Sequence, residues 1–309
     1  MRVVVDDEVF STHGHDHLLH ELLLSCRDGR HLIEVVPQQA CSCQKWLRDD
    51  AGRVGIYYQQ ILDSSIRELA TSTTTFCVRI PAVPLPDALS LLRSPLSILV
   101  ENERNDGAFL RAVLRGPREQ EWKRALERTW VGFDSGGGMQ EIEKRIQAGT
   151  SVDSRRTYVV FDSDARRPGE LSIAARRLAV LCNVAKLRTH VLRRRERENY
   201  LPLDALHLWV EESKRETKAS RRRLLSQYRR LNDEQRHHFN MRRGLKADGD
   251  DAPLFAGVND VIRQALHVGF GDDVGQIFDR PERILDSWLI CDGQSEEMQA
   301  VLDEILAML

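Results

Sequence analysis

The sequence predicts an α/β protein built on parallel sheets, and two observations carry that prediction. Across residues 96–192, short apolar runs bounded by polar turns alternate with amphipathic stretches. This β-α-β-α-β-α-β order implies a parallel sheet covered on both faces. Residues 1–94 show a smaller set of the same kind, and beyond residue 203 the chain reads as mostly helical.

In order, the N-terminal α/β domain (1–94) is expected to hold strands over 2–10, 31–36 and 75–80. Helices are expected over 15–26, where Leu18, Leu19, Leu22 and Leu23 share one face, and over 64–70. The segment IPAVPLPDALSLLRSP carries Pro81, Pro84, Pro86 and Pro95 and reads as a connector at a domain boundary. The second domain (95–203) is expected to have strands over 96–100, 130–133, 158–161 and 190–192. Helices are expected over 108–114, 139–148 and 171–185. In the helical, partly basic region (204–309), one long helix is expected over 206–230, a loop at LKADGDDAPL, and helices over 259–267 and 298–308.

The 309 residues are 41% apolar, enough for real cores, and 30% charged. Acids (47) and bases (45) nearly cancel, so only local charge clusters can indicate a partner. None of the six cysteines forms a Cys-x-x-Cys pair, and Cys41-Ser42-Cys43 is too tight for a zinc knuckle. They read as reduced thiols of a cytoplasmic protein, with no signal peptide and no membrane-length apolar run.

Acids follow three of the expected strands. Glu101 follows the first, with Asp106 close behind. Asp162 and Asp164 follow the third. Glu196 and Glu198 follow the fourth, in HVLRRRERENYL. Parallel sheets gather their chemistry at the carboxyl ends of strands. Two unit charges about 4 Å apart cost roughly 4 kcal/mol at an effective dielectric near 20, so such a cluster takes up protons or binds a cation. All-oxygen ligands suit Mg²⁺ or Mn²⁺ rather than zinc. The bland reading is a set of solvated strand ends. Gly136, Gly137 and Gly138 let the backbone approach a phosphate or the acids closely, or simply make a tight strand-to-helix turn.

With these features, residues 96–203 resemble a Toprim domain, a Rossmann-like parallel sheet. The matching features are a first strand ending in Glu101, the glycine turn after the second strand, and Asp162-x-Asp164 after the third. The segment ERENYL is similar to the Glu-x-Glu-Asn-Tyr segment of Toprim nucleases in the overcoming-lysogenization-defect group and related anti-phage effectors. The sequence departs from that pattern at Asn102, where glycine is common, and in the spacing to Asp106.

The resemblance implies a metal-dependent endonuclease cutting DNA or RNA, the effector of a bacterial anti-phage system. It assigns Glu101 as general acid/base or metal ligand, Asp162 and Asp164 as ligands of Mg²⁺ or Mn²⁺, and Glu198 with Glu196 as a second metal position. Relatives often act with an ATPase. This sequence contains no Gly-x-x-x-x-Gly-Lys-Ser/Thr segment, so the resemblance implies a separately encoded ATPase partner.

Between Lys214 and Lys246 lie twelve bases, among them Arg222, Arg229, Arg242 and Arg243, against three acids. Such a segment holds a polyanion, DNA or tRNA/RNA, or is a solvated helix face. Arg193, Arg194 and Arg195, beside the acids, are expected to contact phosphate together with Gly137 and Gly138. Lys246 is a candidate catalytic cation. The histidine-rich STHGHDHLLH lacks the spacing of a metallohydrolase signature and reads as a polar helix start. The alternative to a nuclease is a non-catalytic module that binds nucleic acid or a partner.

Overall fold

The structure, a computed structural model, describes residues 1–12, 14–37, 39–71, 77–149, 153–248 and 253–309. It is a mixed α/β fold with two parallel sheets. In the first, β1 (Arg2–Asp6) lies between β2 (Leu32–Val36) and β3 (Cys77–Ile80). In the second, β4 (Leu96–Val100), β5 (Val131–Ser135), β6 (Thr157–Phe161) and β7 (Arg188–Val191) run in the order β5-β4-β6-β7.

The chain divides into two compact units. One comprises residues 1–96, 121–132 and 303–309, and the other residues 97–120 and 133–302. One division falls at residues 96–97, and residues 121–132 and 303–309 join the first unit; the helical region after 203 is not a unit of its own. All but its last seven residues belong to the unit that carries most of the second sheet.

In the first unit, Val3, Val5 and Ile33 form a core with Leu19, Leu22, Leu23, Trp46 and Leu89. The leucine face expected on helix Asp16–Cys26 is the one buried, with Leu18 partly covered beside it. The proline-rich connector is instead helical over Leu85–Arg93. Pro86 sits in its first turn, where a missing N–H costs nothing. Helix Gly55–Leu69 extends well upstream of the expected segment, and helix Cys41–Asp49 was not anticipated. Residues 75 and 76 of the expected third strand, and His13, lie outside the described residues.

In the second unit, Leu99, Val159 and Phe161 pack against Met139, Ile142 and Ile146 of helix Met139–Ala148 and against Leu178 and Cys182 of helix Ile173–Val184. Strand side chains alternate, so Ile98, Val100 and Val160 serve the opposite face. The expected long helix over 206–230 is two helices, Leu203–Glu211 and Arg215–Tyr228. Lys214 is extended at the break, with ψ 148°, and Ser213 donates its hydroxyl back to the Trp209 carbonyl at 2.9 Å. Helix Glu119–Glu127 was not anticipated.

Candidate active site

The strand order of the second sheet determines which acids can meet. From β4 the chain moves to β5 on one side, then returns past β4 to β6 on the other. The crevice of such a sheet lies between those two strands, β4 and β6, at their carboxyl ends. Leu99 pairs with Val159, so two residues further on Glu101 stands opposite Phe161, and Asp162 follows. The Asp162 backbone N–H donates to the Glu101 carboxylate.

Each neighbouring element contributes to this end. Asn102 caps helix Glu103–Val113, its side chain accepting from the Asn105 N–H at 3.0 Å. Asp106, one turn along, accepts from the Asn102 N–H at 2.7 Å. The asparagine where glycine is common in the Toprim pattern is thus an ordinary extended N-cap, with φ −138°.

The N–H groups of Gly136, Gly137 and Gly138 donate to the carbonyls of Val100 and Glu101 at 2.7, 3.0 and 3.1 Å. They are not free to meet a phosphate, as expected for Gly137 and Gly138; they fix the backbone that carries Glu101. A Cβ on Gly136 would lie 2.1 Å from an Ile142 side-chain carbon, so only glycine lets the helix pack there.

Electrostatics single this end out. Burial pushes the Glu101 carboxyl up to about 7, aided by Asp106 and Asp164 and opposed by Arg197. Asp162 is raised well above the carboxylate range by burial, then by the charges of Glu101, Asp106 and Glu198. Asp164 sits at the exposed rim in a left-handed backbone conformation, φ 49°, which aspartate tolerates better than most residues. Desolvation raises its carboxyl too, against Arg195 and Arg242.

Glu196 and Glu198 lie around the single helical turn Arg197–Tyr200, after β7. Glu198 is 1% exposed, and neither carboxylate oxygen accepts a hydrogen bond. Its charge partner is the Arg197 guanidinium, 2.9 Å away, and a buried carboxylate held by an ion pair without hydrogen bonds is costly. Glu196 faces elsewhere: it accepts from the Met241 N–H at 2.6 Å and lies 3.4 Å from Arg242. That bond uses Glu196 to anchor the segment around Met241 rather than to complete a second metal position with Glu198.

The residue between them, Arg197, carries no role in the sequence reading. Its guanidinium bonds Asp106, lies 2.9 Å from Glu198, and its backbone N–H donates to Asp162 at 3.1 Å. Burial lowers its basicity, but Glu198, Asp106 and Asp162 outweigh that, and its pKa is raised. A base flanked by two glutamates at the acidic centre was the signal available in the sequence.

The neighbouring arginines do not serve as expected. Arg194 is 5% exposed, bonds the Asn199 carbonyl and Asp292, and stacks on Tyr200. Arg195 makes a two-pronged pair with Asp248 at 2.6 and 2.8 Å. Both are internal braces and cannot reach a phosphate outside. Only the Arg193 side chain is exposed. In the basic segment, Arg222 pairs with Glu211 and Arg242 with Glu196. Arg229, Arg243 and Lys246 are exposed and make no side-chain bond among the described residues.

Divalent ions fit the centre in donor type. Mg²⁺ is commonly held by one or two carboxylates, with water and substrate oxygens completing its shell. The Glu198 oxygens, ion-paired to Arg197 and accepting no hydrogen bond, are of the required kind. A cavity of about 10 Å³, roughly the room for one water, has Glu101, Asp106, Asp162 and Arg197 on one part of its wall and Phe109, Leu110, Val160, Phe161 and Leu192 on the rest. Among the described residues, no three His, Cys, Asp or Glu side chains form a ready metal cage. In the STHGHDHLLH stretch, His20 bonds the Tyr58 hydroxyl at 2.9 Å and packs against Trp46, as core histidines do.

No protein-family model, curated protein or solved structure matches the chain. Among the described residues, no helix is long and apolar enough to cross a membrane.

Proposed function

We propose that the chain is a divalent-metal-dependent nuclease that hydrolyses phosphodiester bonds of DNA or RNA. The observation that supports this best is the crowding of Glu101, Asp106, Asp162 and Glu198 around a single guanidinium at the crevice of the second sheet. Carboxylates gathered around a single guanidinium are a structural cost, and strongly shifted acids in a crevice mark functional sites. A divalent ion bound there supplies charge neutralisation and an activated water for in-line displacement at phosphorus.

Asp162, with Asp164 at the rim, offers the carboxylate oxygens for the ion. Glu101 titrates near neutrality, which suits it to take a proton from the attacking water or return one to the leaving oxygen. The exposed Arg193, Arg229, Arg243 and Lys246 supply positive charge for a nucleic-acid backbone. The resemblance to Toprim nucleases points the same way, and extends the reading to an anti-phage effector working with a separately encoded ATPase.

The test is incubation of the pure chain with supercoiled plasmid and with tRNA in Mg²⁺ or Mn²⁺, alone and with the products of neighbouring genes. Cleavage that chelator abolishes and that Asp162→Ala and Glu101→Ala both lose is the expected result. Cleavage that survives in either variant overturns the site. If no phosphodiester is cut under any of these conditions, the chain is a binding module.

A further inference from the structure

We propose that the second unit holds a binding site for a nucleoside phosphate, in the cavity at the break between helices Leu203–Glu211 and Arg215–Tyr228. The site is separate from the acidic centre, since neither the carboxylates of that centre nor Arg197 line the cavity.

The cavity measures about 700 Å³, within the range of roughly 300–1,000 Å³ usual for small-molecule sites. The two helices and the extended Lys214 between them form part of its wall. The rest comes from the short helical turns Val274–Asp279 and Pro281–Arg283 and their flanks.

Ala205, Leu208, Trp209 and Ile277 give this wall an apolar part. Trp209 is held in place. The Arg221 guanidinium lies over its ring at 3.8 Å, and Arg221 is fixed in turn by Ser213 Oγ at 2.9 Å and Asp273 at 2.6 Å. Phe270 meets the same ring edge-on, with centroids 6.3 Å apart. A ligand ring entering here meets an aromatic wall that is already ordered, so little side-chain freedom is lost on binding.

Four bases and three acids line the cavity. Arg221 and Asp273 neutralise each other. Arg280 and Arg283 both turn to the one carboxylate of Glu212. Lys214, two residues along, makes no side-chain bond among the described residues. Three bases thus answer one acid, and guanidinium groups pair readily with phosphate oxygens. The third acid, Asp279, and the neighbouring Gln276 make no side-chain bond among the described residues. A carboxylate and an amide suit the donor-and-acceptor edge of a nucleobase. The wall therefore asks for a flat apolar body, a polar edge and an anionic end in one small molecule. A bare inorganic anion leaves the apolar part wet, and an apolar ligand leaves the bases unanswered.

Calorimetry on the full chain in EDTA tests this apart from any cleavage. ATP and GTP are the probes, with adenosine and inorganic tripolyphosphate as their separate halves. One ATP or GTP per chain is expected, bound at least about tenfold more tightly than either half. Lys214→Glu should weaken binding at least about tenfold by reversing a charge on the wall. Thr217→Trp, at an exposed helix position on the same wall, should abolish binding by filling the cavity. Asp162→Ala should bind as the wild type does.

Circular dichroism establishes that each variant is folded, and if one cavity variant does not fold the other decides. Dissociation constants weaker than about 1 mM for both nucleotides would overturn the site. So would tripolyphosphate binding as tightly as ATP, binding unchanged in the cavity variants, or binding lost in a folded Asp162→Ala. An oligodeoxythymidine strand that binds there when neither nucleotide does would also overturn it. A chain that binds ATP in the expected pattern and cuts no nucleic acid defeats the nuclease reading alone. An active nuclease that binds neither nucleotide defeats this inference alone.

Discussion

At the carboxyl end of the first sheet, Asp6 pairs with Arg79 at 2.9 Å, and Asp7 accepts the N–H groups of Ser42 and Cys43, both at 2.9 Å. At the same end of the second sheet, Asp106 and Glu198 share one buried guanidinium, with Glu101 and Asp162 crowded beside them, and Glu198 accepts no hydrogen bond. Both sheets are parallel and both change direction beside their first strand. Topology therefore brings acids to a crevice twice, and only once leaves them short of positive charge. In the first sheet acids serve as structure, with Asp7 capping helix Cys41–Asp49 from outside the helix. In the second, burial and mutual repulsion raise the carboxyls of Glu101 and Asp162, the cost that the proposed divalent ion relieves.

The largest expected effect breaks this contrast directly. Asp162→Ala or Glu101→Ala should lower phosphodiester cleavage by about a hundredfold or more, whereas Asp7→Ala leaves the rate per folded chain unchanged. A rate assay on the three variants side by side checks it. In stability the order reverses. Asp7→Ala should cost about 1–2 kcal/mol in chemical denaturation, the usual cost of a lost helix cap. Asp162→Asn should melt above the metal-free wild type, because it removes a crowded buried charge.

A pH series sharpens the same contrast. Glu101 titrates near 7 in the folded chain against an ordinary value of 4.5. A carboxyl raised on folding binds its proton more tightly in the native state. Its contribution is fully present below pH 4.5 and is lost as the pH rises through about 7. Without divalent ions, the melting temperature of the wild type should therefore fall relative to Glu101→Gln between these values. Parallel melting curves with no gap opening would contradict the assignment.

Gly275→Ala should act more mildly. It pushes on Glu198, weakening Mn²⁺ binding several-fold while leaving the first sheet's unit intact. The smallest effect belongs to the exposed bases. Reversing Arg243 or Arg229 to Glu should weaken nucleic-acid binding severalfold at low salt and flatten its salt dependence by about one charge for each base lost. Titrations at several salt concentrations measure both.

The fold was legible where periodicity is strong. The leucines of Asp16–Cys26, the apolar runs of β4 and β6, and helix Met139–Ala148 announce themselves by alternation or helical spacing. Helix Leu85–Arg93 was hidden because its prolines read as breakers, although one of them sits in the first turn, where proline is tolerated. The break at Lys214 was hidden because charged residues fit a helix surface as well as a loop.

In the site, Glu101 and Asp162 were legible because they directly follow strands. The roles of Arg194, Arg195 and Glu196 were not, since a charge looks the same in sequence whether it faces solvent or a buried partner. Arg197 shows the converse, a base whose importance comes from the acids that surround it in space.

The account turns on whether the acids of the second sheet, and not those of the first, lack a cation that a divalent ion supplies. Melting the full chain across a Mn²⁺ titration measures that most directly, with Asp162→Asn and Asp7→Asn beside the wild type. The expected result is a rise in melting temperature for the wild type, an equal rise from a lower starting point for Asp7→Asn, and none for Asp162→Asn. A wild type that Mn²⁺ does not stabilise, or an Asp162→Asn variant stabilised as much as the wild type, would contradict it.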